Sequence, residues 1–138
     1  MGSRAPATEP QTAPPPLPAA PPRYVAFGDS ITQGWCASDS YPDLLGRWNG
    51  WEAINLGVQG LAVGSDARDV GRAIGAQRGD VVSVLVGANN CLSCTTCGRF
   101  KVDVTALLRG LREVGSRRRV RWLRWMAGTA CRSAAAVH

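Results

Sequence analysis

The sequence is poor in histidine, in long apolar stretches and, after residue 22, in proline. Its single histidine, His138, is the last residue. No segment reaches the roughly 18 apolar residues of a membrane-spanning helix, and the first 22 residues lack the apolar stretch of about 7–15 residues that a secretory signal needs. Arg4 and Arg23 are too few basic residues to favour a transit peptide. We therefore expect a cytoplasmic protein without a transmembrane segment.

Composition divides the 138 residues into three parts. Residues 1–22 hold eight of the nine prolines and mostly small residues besides, so they are predicted to be a disordered tail that cannot bury enough apolar surface to fold. Residues 23–116 are predicted to form one domain. Residues 117–138 are a basic tail, and the net charge of +6 arises from Arg109 onward, where eight arginines face one glutamate. Since the rest is near neutral, a general nucleic-acid-binding surface is not indicated.

Strand-like and helix-like segments alternate after residue 22. Strands are predicted at 23–28, 52–57 and 81–86, and helices at 40–48, 65–77 and 103–114. The β-branched run 81–86 is typical of a central strand covered on both faces. Gly71 and Gly75 each weaken the second helix by about 1 kcal/mol, so tertiary packing must hold it. The alternation predicts an α/β fold, a three-layer α/β/α sandwich around a parallel sheet.

The first predicted strand ends in Gly-Asp-Ser, which places Ser30 on a loop at the carboxyl end of the sheet. Ligands bind at that edge in open α/β sheets, because the loops converge there and helices offer free backbone N–H groups. Ser30 is therefore a candidate nucleophile. Gly-Asp-Ser is also an ordinary turn composition, and this motif alone would not decide the function.

Three loops together carry a family resemblance. Residues 28–34 (Gly-Asp-Ser-Ile-Thr-Gln-Gly), 55–60 (Asn-Leu-Gly-Val-Gln-Gly) and 87–90 (Gly-Ala-Asn-Asn) resemble blocks I, II and III of the SGNH, or GDSL, hydrolase family. Each loop follows a predicted strand, and successive loops are about 30 residues apart, which makes the combination far more specific than any single motif. The resemblance covers residues 23–114 and implies the flavodoxin-like SGNH fold.

The resemblance also implies a catalytic role for each of the three loops. Ser30 would attack an ester carbonyl, and the Ser30 N–H, the Gly60 N–H and the Asn89 side-chain amide would bind the oxyanion, where each donor can lower the barrier by about 3–4 kcal/mol. Asn90 stands where the family usually has Asp, which we expect to affect loop shape more than the donor itself. Lipids, acetylated sugars and thioesters are the implied substrate classes, with a small-molecule ester as partner and no cofactor or metal.

A general base is missing from this scheme. The Ser30 hydroxyl needs a base to become a nucleophile, and the family resemblance implies a His preceded by Asp three positions earlier. Here His138 is preceded at that spacing by Ala135, and a terminal histidine is more typical of a mobile chain end. We therefore expect a truncated, alternatively spliced or mispredicted form of a longer hydrolase, inactive or weak as it stands.

Two alternatives remain open. Interleaved arginine and tryptophan in residues 117–126 could bind anionic lipid or nucleic acid, making the chain a non-catalytic binding module. The spacing of Cys91, Cys94 and Cys97 could ligate zinc or part of an iron–sulfur cluster, although both need a further ligand. Cys36 could also lie near Cys91 or Cys94 and form a disulfide or a fortuitous metal site with it. Ordinary loop cysteines and a solvated tail are the simpler interpretations.

Overall fold

A three-stranded parallel sheet organises the protein. In the computed structural model, which describes residues 19–92 and 98–114, the strands are β1 (Arg23–Gly28), β2 (Glu52–Gly57) and β3 (Val81–Leu85). Their order is β2-β1-β3. The predicted parallel α/β fold is confirmed, with strand bounds within one residue of expectation. The prediction that the third strand is central is wrong for the described residues, where β1 lies between the other two.

Five helices accompany the strands in the described ranges. They are α1 (Ser30–Gln33), α2 (Tyr41–Asn49), α3 (Ala67–Ala76), α4 (Ala88–Leu92) and α5 (Phe100–Val114). The three longer helices match predicted segments, although α5 begins three residues earlier than expected. The short helices α1 and α4 stand where the sequence predicted plain loops.

The apolar face of the sheet carries the main core. Val25 and Phe27 of β1 and Val82 of β3 pack against residues of α3 and α5, among them Ala67, Ile74, Leu107 and Leu111. Each of these side chains is at most 6 % exposed. Successive residues of a strand point to opposite faces, so this core uses alternate positions of each strand.

Glycines allow α3 and α5 to pack closely in this layer. A Cβ atom at Gly71 would collide with the Leu107 carbonyl oxygen and lie 2.8 Å from the Leu111 nitrogen. Reciprocally, a Cβ atom at Gly110 would collide with the carbonyl oxygen of Arg68. The sequence predicted that packing must hold this glycine-containing helix, and the contact of Gly71 with α5 shows how.

An ion-pair cluster lies on the exposed side of the same helix pair. The Glu113 carboxylate accepts hydrogen bonds from Arg68, at 2.5 Å from Nη2, and from Arg72, at 2.8 Å from Nε. These guanidinium hydrogen bonds, that of Arg68 foremost, lower the pKa of Glu113 below its ordinary value. Since exposed ion pairs add little stability, we expect this cluster to contribute little to the free energy of unfolding.

The opposite face of the sheet is covered by α1 and α2 and carries buried polar groups. The Tyr24 hydroxyl lies 2.8 Å from the Ser83 Oγ, and its ring makes an edge contact with Trp51. Burial raises the pKa of Tyr24 above its ordinary value, although the hydrogen bond to Ser83 opposes the shift. On α2, a Cβ at Gly46 would lie 2.8 Å from the Ala53 Cβ, so this helix rests directly on β2.

Helix α2 begins as the sequence predicted. Ser40 is the N-cap, its Oγ accepts a hydrogen bond from the Asp43 N–H at 3.3 Å, and Pro42 occupies the first turn. A serine cap satisfies one of the unpaired N–H groups of a helix start, and proline there sacrifices no helical hydrogen bond. In α3 the N-cap residue is Asp66, whose side chain makes no capping hydrogen bond.

Several sequence predictions fall outside the described residues. These are the proline-rich tail as far as residue 18 and the basic tail 117–138. Among the helices of residues 19–92 and 98–114, none has both the length and the apolar character needed to span a bilayer.

Candidate active site

Ser30 is the first residue of α1, directly after the carboxyl end of β1. The preceding Asp29 is buried and caps the helix, its Oδ1 accepting a hydrogen bond from the Ile31 N–H at 3.0 Å. The first N–H groups of a helix have no partner within it, so the Ser30 N–H belongs to a set of donors at this edge. Ser30 itself is half-buried. The Gly-Asp-Ser motif thus forms a capped helix start that holds a serine at the sheet edge.

Glycines bring the three candidate loops into contact. Gly28 pairs with Gly57 of β2 and with Leu85 of β3, so all three strands end at the same level. A Cβ at Gly28 would collide with the Thr32 side chain and lie 2.5 Å from the Leu85 carbonyl oxygen. A Cβ at Gly57 would collide with the backbone nitrogen of Gln33. Only glycine permits so close an approach of backbone to backbone.

The second loop is a tight turn that contains Gly60. It is joined to the first strand by a hydrogen bond from the Val58 N–H to the Gly28 carbonyl oxygen at 2.9 Å, and the Leu61 N–H closes the turn on the Val58 carbonyl at 3.1 Å. Gly60 is exposed and has a φ of +74°, a left-handed conformation that favours glycine. Apart from Gly60 and its two chain neighbours, no atom of residues 19–92 and 98–114 lies within 4 Å of a Cβ placed there. The described part of the chain thus leaves free the space that a side chain at residue 60 would occupy.

Asn55 ties the second loop to the serine helix. Its Nδ2 donates to the Thr32 carbonyl oxygen at 2.9 Å and to the Ser40 Oγ at 3.0 Å, while its Oδ1 accepts from the Gly57 N–H at 2.9 Å. A half-buried side-chain amide with three partners fixes the loops more firmly than one bond would. The sequence placed Asn55 in the motif without assigning it this role.

The third loop forms the start of α4 and carries Asn89. The Asn89 Nδ2 donates to the Leu61 carbonyl oxygen at 2.9 Å, which joins the third loop to the second. A side-chain amide has two hydrogens, so this bond uses only one of them. Asn89 is half-buried rather than enclosed. The three candidate residues Ser30, Gly60 and Asn89 thus lie on loops that hydrogen-bond to one another at one edge of the sheet.

Asn90 has a different environment from its neighbour. Its side chain is fully buried, with Oδ1 2.9 Å from the Val63 nitrogen and Nδ2 2.8 Å from the Val63 carbonyl oxygen. These contacts attach the start of α4 to the segment that follows the second loop.

The described residues contain no histidine, because His138 lies outside them. The Asp29 carboxylate, next to Ser30 in sequence, is engaged in capping α1. The described residues therefore include the candidate nucleophile Ser30 but no histidine that could act as its general base.

The cysteine hypothesis is only partly covered by the structure. Cys91 lies on α4 and is half-buried, and Cys36 is exposed on the loop after α1 with a φ of +64°. Cys94 and Cys97 lie outside the described residues. Within residues 19–92 and 98–114, no three His, Cys, Asp or Glu side chains come together in a way that could hold a metal ion.

Comparison with protein families identifies the kind of domain this is. Residues 26–135, most of the chain, match the model of the GDSL-like lipase/acylhydrolase family. The chain belongs to this family. The match starts within β1 and continues beyond α5, so it includes all three loops described above. Comparison with curated protein sequences gives no significant match.

Solved structures of SGNH hydrolases share the fold. AlinE4, an SGNH-hydrolase family esterase, is 23 % identical and superposes with a TM-score of 0.60 over 75 % of this chain and 58 % of its own. A protein named as a lipolytic member of the G-D-S-L family, from Desulfitobacterium hafniense, is 21 % identical, with a TM-score of 0.59 over 67 % of this chain and 54 % of its own. The chain thus spans between half and two thirds of the length of these two proteins.

Proposed function

We propose that this GDSL-family chain is a serine ester hydrolase domain with Ser30 as nucleophile. In this mechanism the Ser30 Oγ attacks the ester carbonyl carbon, its proton passes to a base, and the carbonyl oxygen becomes an oxyanion. The Ser30 N–H, the Gly60 N–H and the Asn89 Nδ2 bind that oxyanion. The base then returns the proton to the leaving oxygen, so collapse of the tetrahedral intermediate releases the alcohol and leaves an acyl-serine, which water hydrolyses to the carboxylic acid and free Ser30.

One observation carries the proposal: the three loops are linked directly to one another at the carboxyl edge of the sheet. The bond from the Val58 N–H to the Gly28 carbonyl joins the first two loops, and the bond from the Asn89 amide to the Leu61 carbonyl joins the second and third. Electrostatic stabilisation of an oxyanion requires donors that are fixed before the reaction begins. Loops bonded to one another meet that requirement.

The mechanism depends on a general base that accepts the Ser30 proton. His138 is the one histidine of the sequence, and without a positioned imidazole the serine stays protonated at neutral pH. We infer that the chain by itself hydrolyses esters slowly or not at all, and that an external base can replace part of what is missing. Small-molecule esters with a good leaving group are the substrates that would reveal such residual activity.

Hydrolysis of p-nitrophenyl acetate, with and without imidazole, tests the proposal. We expect imidazole to raise the rate of the wild-type chain more than that of Ser30→Ala, because only the wild type has a hydroxyl to deprotonate. His138→Ala should leave the imidazole-dependent rate unchanged. Equal rates for wild type and Ser30→Ala at every imidazole concentration, in folded samples, would contradict the proposal.

A loss of activity in His138→Ala without imidazole would have a different meaning. It would show that the terminal histidine reaches Ser30 and serves as the base. Asn89→Ala offers a third comparison, because removing one oxyanion donor is expected to lower kcat by about 100- to 1,000-fold. Circular dichroism of every variant separates such effects from loss of folding.

A further inference from the structure

We propose that Ser40, the N-cap of α2, is a positioning residue that fixes the helix of the candidate nucleophile relative to the loop that contains Gly60. Ser40 acts through the side-chain amide of Asn55, and its hydroxyl is not expected to touch substrate. The inference rests on the proposed function, because Ser30 and the Gly60 N–H are the groups that it positions. Its basis is a chain of hydrogen bonds that starts at the Asp43 carboxylate.

Asp43 determines the direction of the hydrogen bonds around the Ser40 hydroxyl. An ionised carboxylate only accepts hydrogen bonds, so the Ser40 Oγ donates its single hydrogen to the Asp43 Oδ2, 2.5 Å away. The lone pairs of the Ser40 Oγ then accept from two N–H groups, that of the Asp43 backbone at 3.3 Å and the Asn55 Nδ2 at 3.0 Å. Because Ser40 is buried, each of these bonds is costly to lose. The hydroxyl therefore presents an acceptor to Asn55.

This acceptor fixes the orientation of the Asn55 amide. The Nδ2 has two hydrogens, one bonded to the Ser40 Oγ and the other to the Thr32 carbonyl oxygen at 2.9 Å. The Oδ1 consequently lies on the other side of the amide, where it accepts from the Gly57 N–H at 2.9 Å. Without the Ser40 hydroxyl, one Nδ2 hydrogen loses its partner and the amide can rotate. The contacts of Asn55 with α1 and with the second loop therefore depend on Ser40.

The end of α1 lies directly on Ser40. A Cβ atom at Gly34, the C-cap of α1, would lie 2.8 Å from the Ser40 Cβ and 2.9 Å from its Cα. The Gly34 N–H donates to the Ser30 carbonyl oxygen at 3.1 Å, and the Trp35 N–H donates to the same oxygen at 3.0 Å. Because α1 has only four residues, a shift at its end also displaces Ser30 at its start. Ser40 thus supports the nucleophile from the far end of this helix.

Ser40→Gly separates positioning from helix capping, because glycine is nearly as favourable an N-cap as serine but has no hydroxyl. With imidazole as external base, we expect this variant to lower kcat for p-nitrophenyl acetate by about 10-fold, a fraction of the loss that a misplacement of about 1 Å can cause. KM should stay within about twofold of the wild-type value, because the residues that contact substrate are unchanged. A wild-type kcat in a folded Ser40→Gly sample would overturn the proposal.

A double-mutant cycle tests whether Ser40 acts through Asn55. The variant Asn55→Ala removes the amide, so in that background Ser40→Gly should change kcat by less than about twofold. Multiplication of the two single losses would overturn the proposal, because two independent effects on packing would combine in that way. Should the double variant fail to fold, hydrogen exchange in Ser40→Gly alone provides the test.

Asp43→Ala tests the carboxylate end of the chain of hydrogen bonds and has a matched control. Asp43 in α2 and Asp69 in α3 are each the third residue of their helix, so alanine removes the same favourable interaction with a helix N-terminus from both. Asp69 pairs with Arg72, outside the candidate site. We expect Asp43→Ala to lower kcat, though less than Ser40→Gly does, because the hydroxyl can then rotate. Asp69→Ala should leave kcat unchanged, and equal kcat values for the two variants would overturn the role of Asp43.

Amide hydrogen exchange provides a measurement that does not depend on activity. We expect the Gly57 N–H, which donates to the Asn55 Oδ1, to exchange at least about tenfold faster in Ser40→Gly than in the wild type, while β3 and α5 stay unchanged. Unchanged exchange at Gly57 would overturn the proposal even if kcat fell. Absence of any Ser30-dependent hydrolysis in the wild type would instead refute the proposed function, and exchange at Gly57 would still show whether Ser40 holds the loop.

Discussion

The side-chain amide of Asn55 donates a hydrogen bond to the carbonyl oxygen of Thr32, two residues after Ser30, over 2.9 Å. The same nitrogen lies 3.0 Å from the Ser40 Oγ. The helix that carries the candidate nucleophile is thereby held to the second strand by a residue that comes 25 positions later in the chain.

Replacing Asn55 should therefore destabilise the domain. We expect Asn55→Asp to lower the free energy of unfolding by about 1–3 kcal/mol, because the carboxylate cannot donate and leaves the Thr32 carbonyl without its partner. Urea unfolding followed by circular dichroism measures the change. The exposed Asn49→Asp serves as control and should cost less than about 0.5 kcal/mol. Equal effects of the two substitutions would show that the Asn55 contacts contribute nothing.

Gly71 provides a test in which helix propensity and packing act in opposite directions. Propensity alone predicts that Gly71→Ala stabilises α3 by about 1 kcal/mol. Because the new methyl group would meet the backbone of Leu107 and Leu111, we expect instead a net loss of about 1–3 kcal/mol. Thermal or urea unfolding gives the sign. Ala73→Gly, at an exposed position of the same helix, calibrates propensity and should cost about 1 kcal/mol.

Tyr24 is expected to make stability fall at alkaline pH. Burial raises its pKa in the folded state, so the folded chain binds the phenolic proton more tightly than the unfolded chain does. The stability that this pKa shift contributes is fully present below pH 10.0, the ordinary pKa of tyrosine. It is lost as the pH rises through the folded-state pKa. Tyr24→Phe removes the Ser83 hydrogen bond and should lower the free energy of unfolding by about 1 kcal/mol at neutral pH. Because phenylalanine does not titrate, this variant should lack the alkaline loss of stability that Tyr24 causes.

The control for this prediction is Ser83→Ala. It removes the same hydrogen bond but keeps the titrating phenol, so its stability should still fall above pH 10.0. Denaturant unfolding between pH 8 and pH 11 compares the three proteins. Parallel curves for the wild type and Tyr24→Phe would contradict a titration at this residue.

The sequence predicted the main elements because their signals are local. The apolar run at residues 24–27 indicates a strand by itself, and Ser40 with Pro42 marks a helix start. The order of the strands is not local. The β-branched run at 81–86 predicts burial, which β3 shares with β1, but which strand has two neighbours depends on the crossovers. Helices α1 and α4, of four and five residues, are too short for a periodic pattern.

The candidate site residues could be predicted from their motifs, whereas the hydrogen bonds that connect the loops could not. Ser30, Gly60 and Asn89 follow from the resemblance of three short loops to family motifs. The roles of Asn55 and Asn90 depend on side chains that reach backbone atoms 23 and 27 positions away, a distance relation that no local pattern contains. A signal was present nonetheless: asparagines near glycines at the ends of β2 and β3 offer both donors and acceptors to neighbouring loops.

Alanine substitution at Gly60 can separate the conformational cost of a left-handed backbone from the loss of oxyanion binding. Its φ of +74° and the empty space around its Cβ position are matched by Gly50, the C-cap of α2, with a φ of +65° and equally open surroundings. Alanine at either position should cost about 1–2 kcal/mol, the penalty of a left-handed conformation for a residue with a Cβ. Only Gly60→Ala should also lower the imidazole-dependent kcat, by about 10- to 100-fold, because relaxation of its backbone moves the N–H away from the oxyanion.

Unfolding curves verify that the two stability losses agree, and p-nitrophenyl acetate hydrolysis measures the difference in kcat between the two variants. If both variants kept the wild-type kcat, Gly60 would not be an oxyanion donor, and if both lost it equally, the effect would arise from stability rather than from the site.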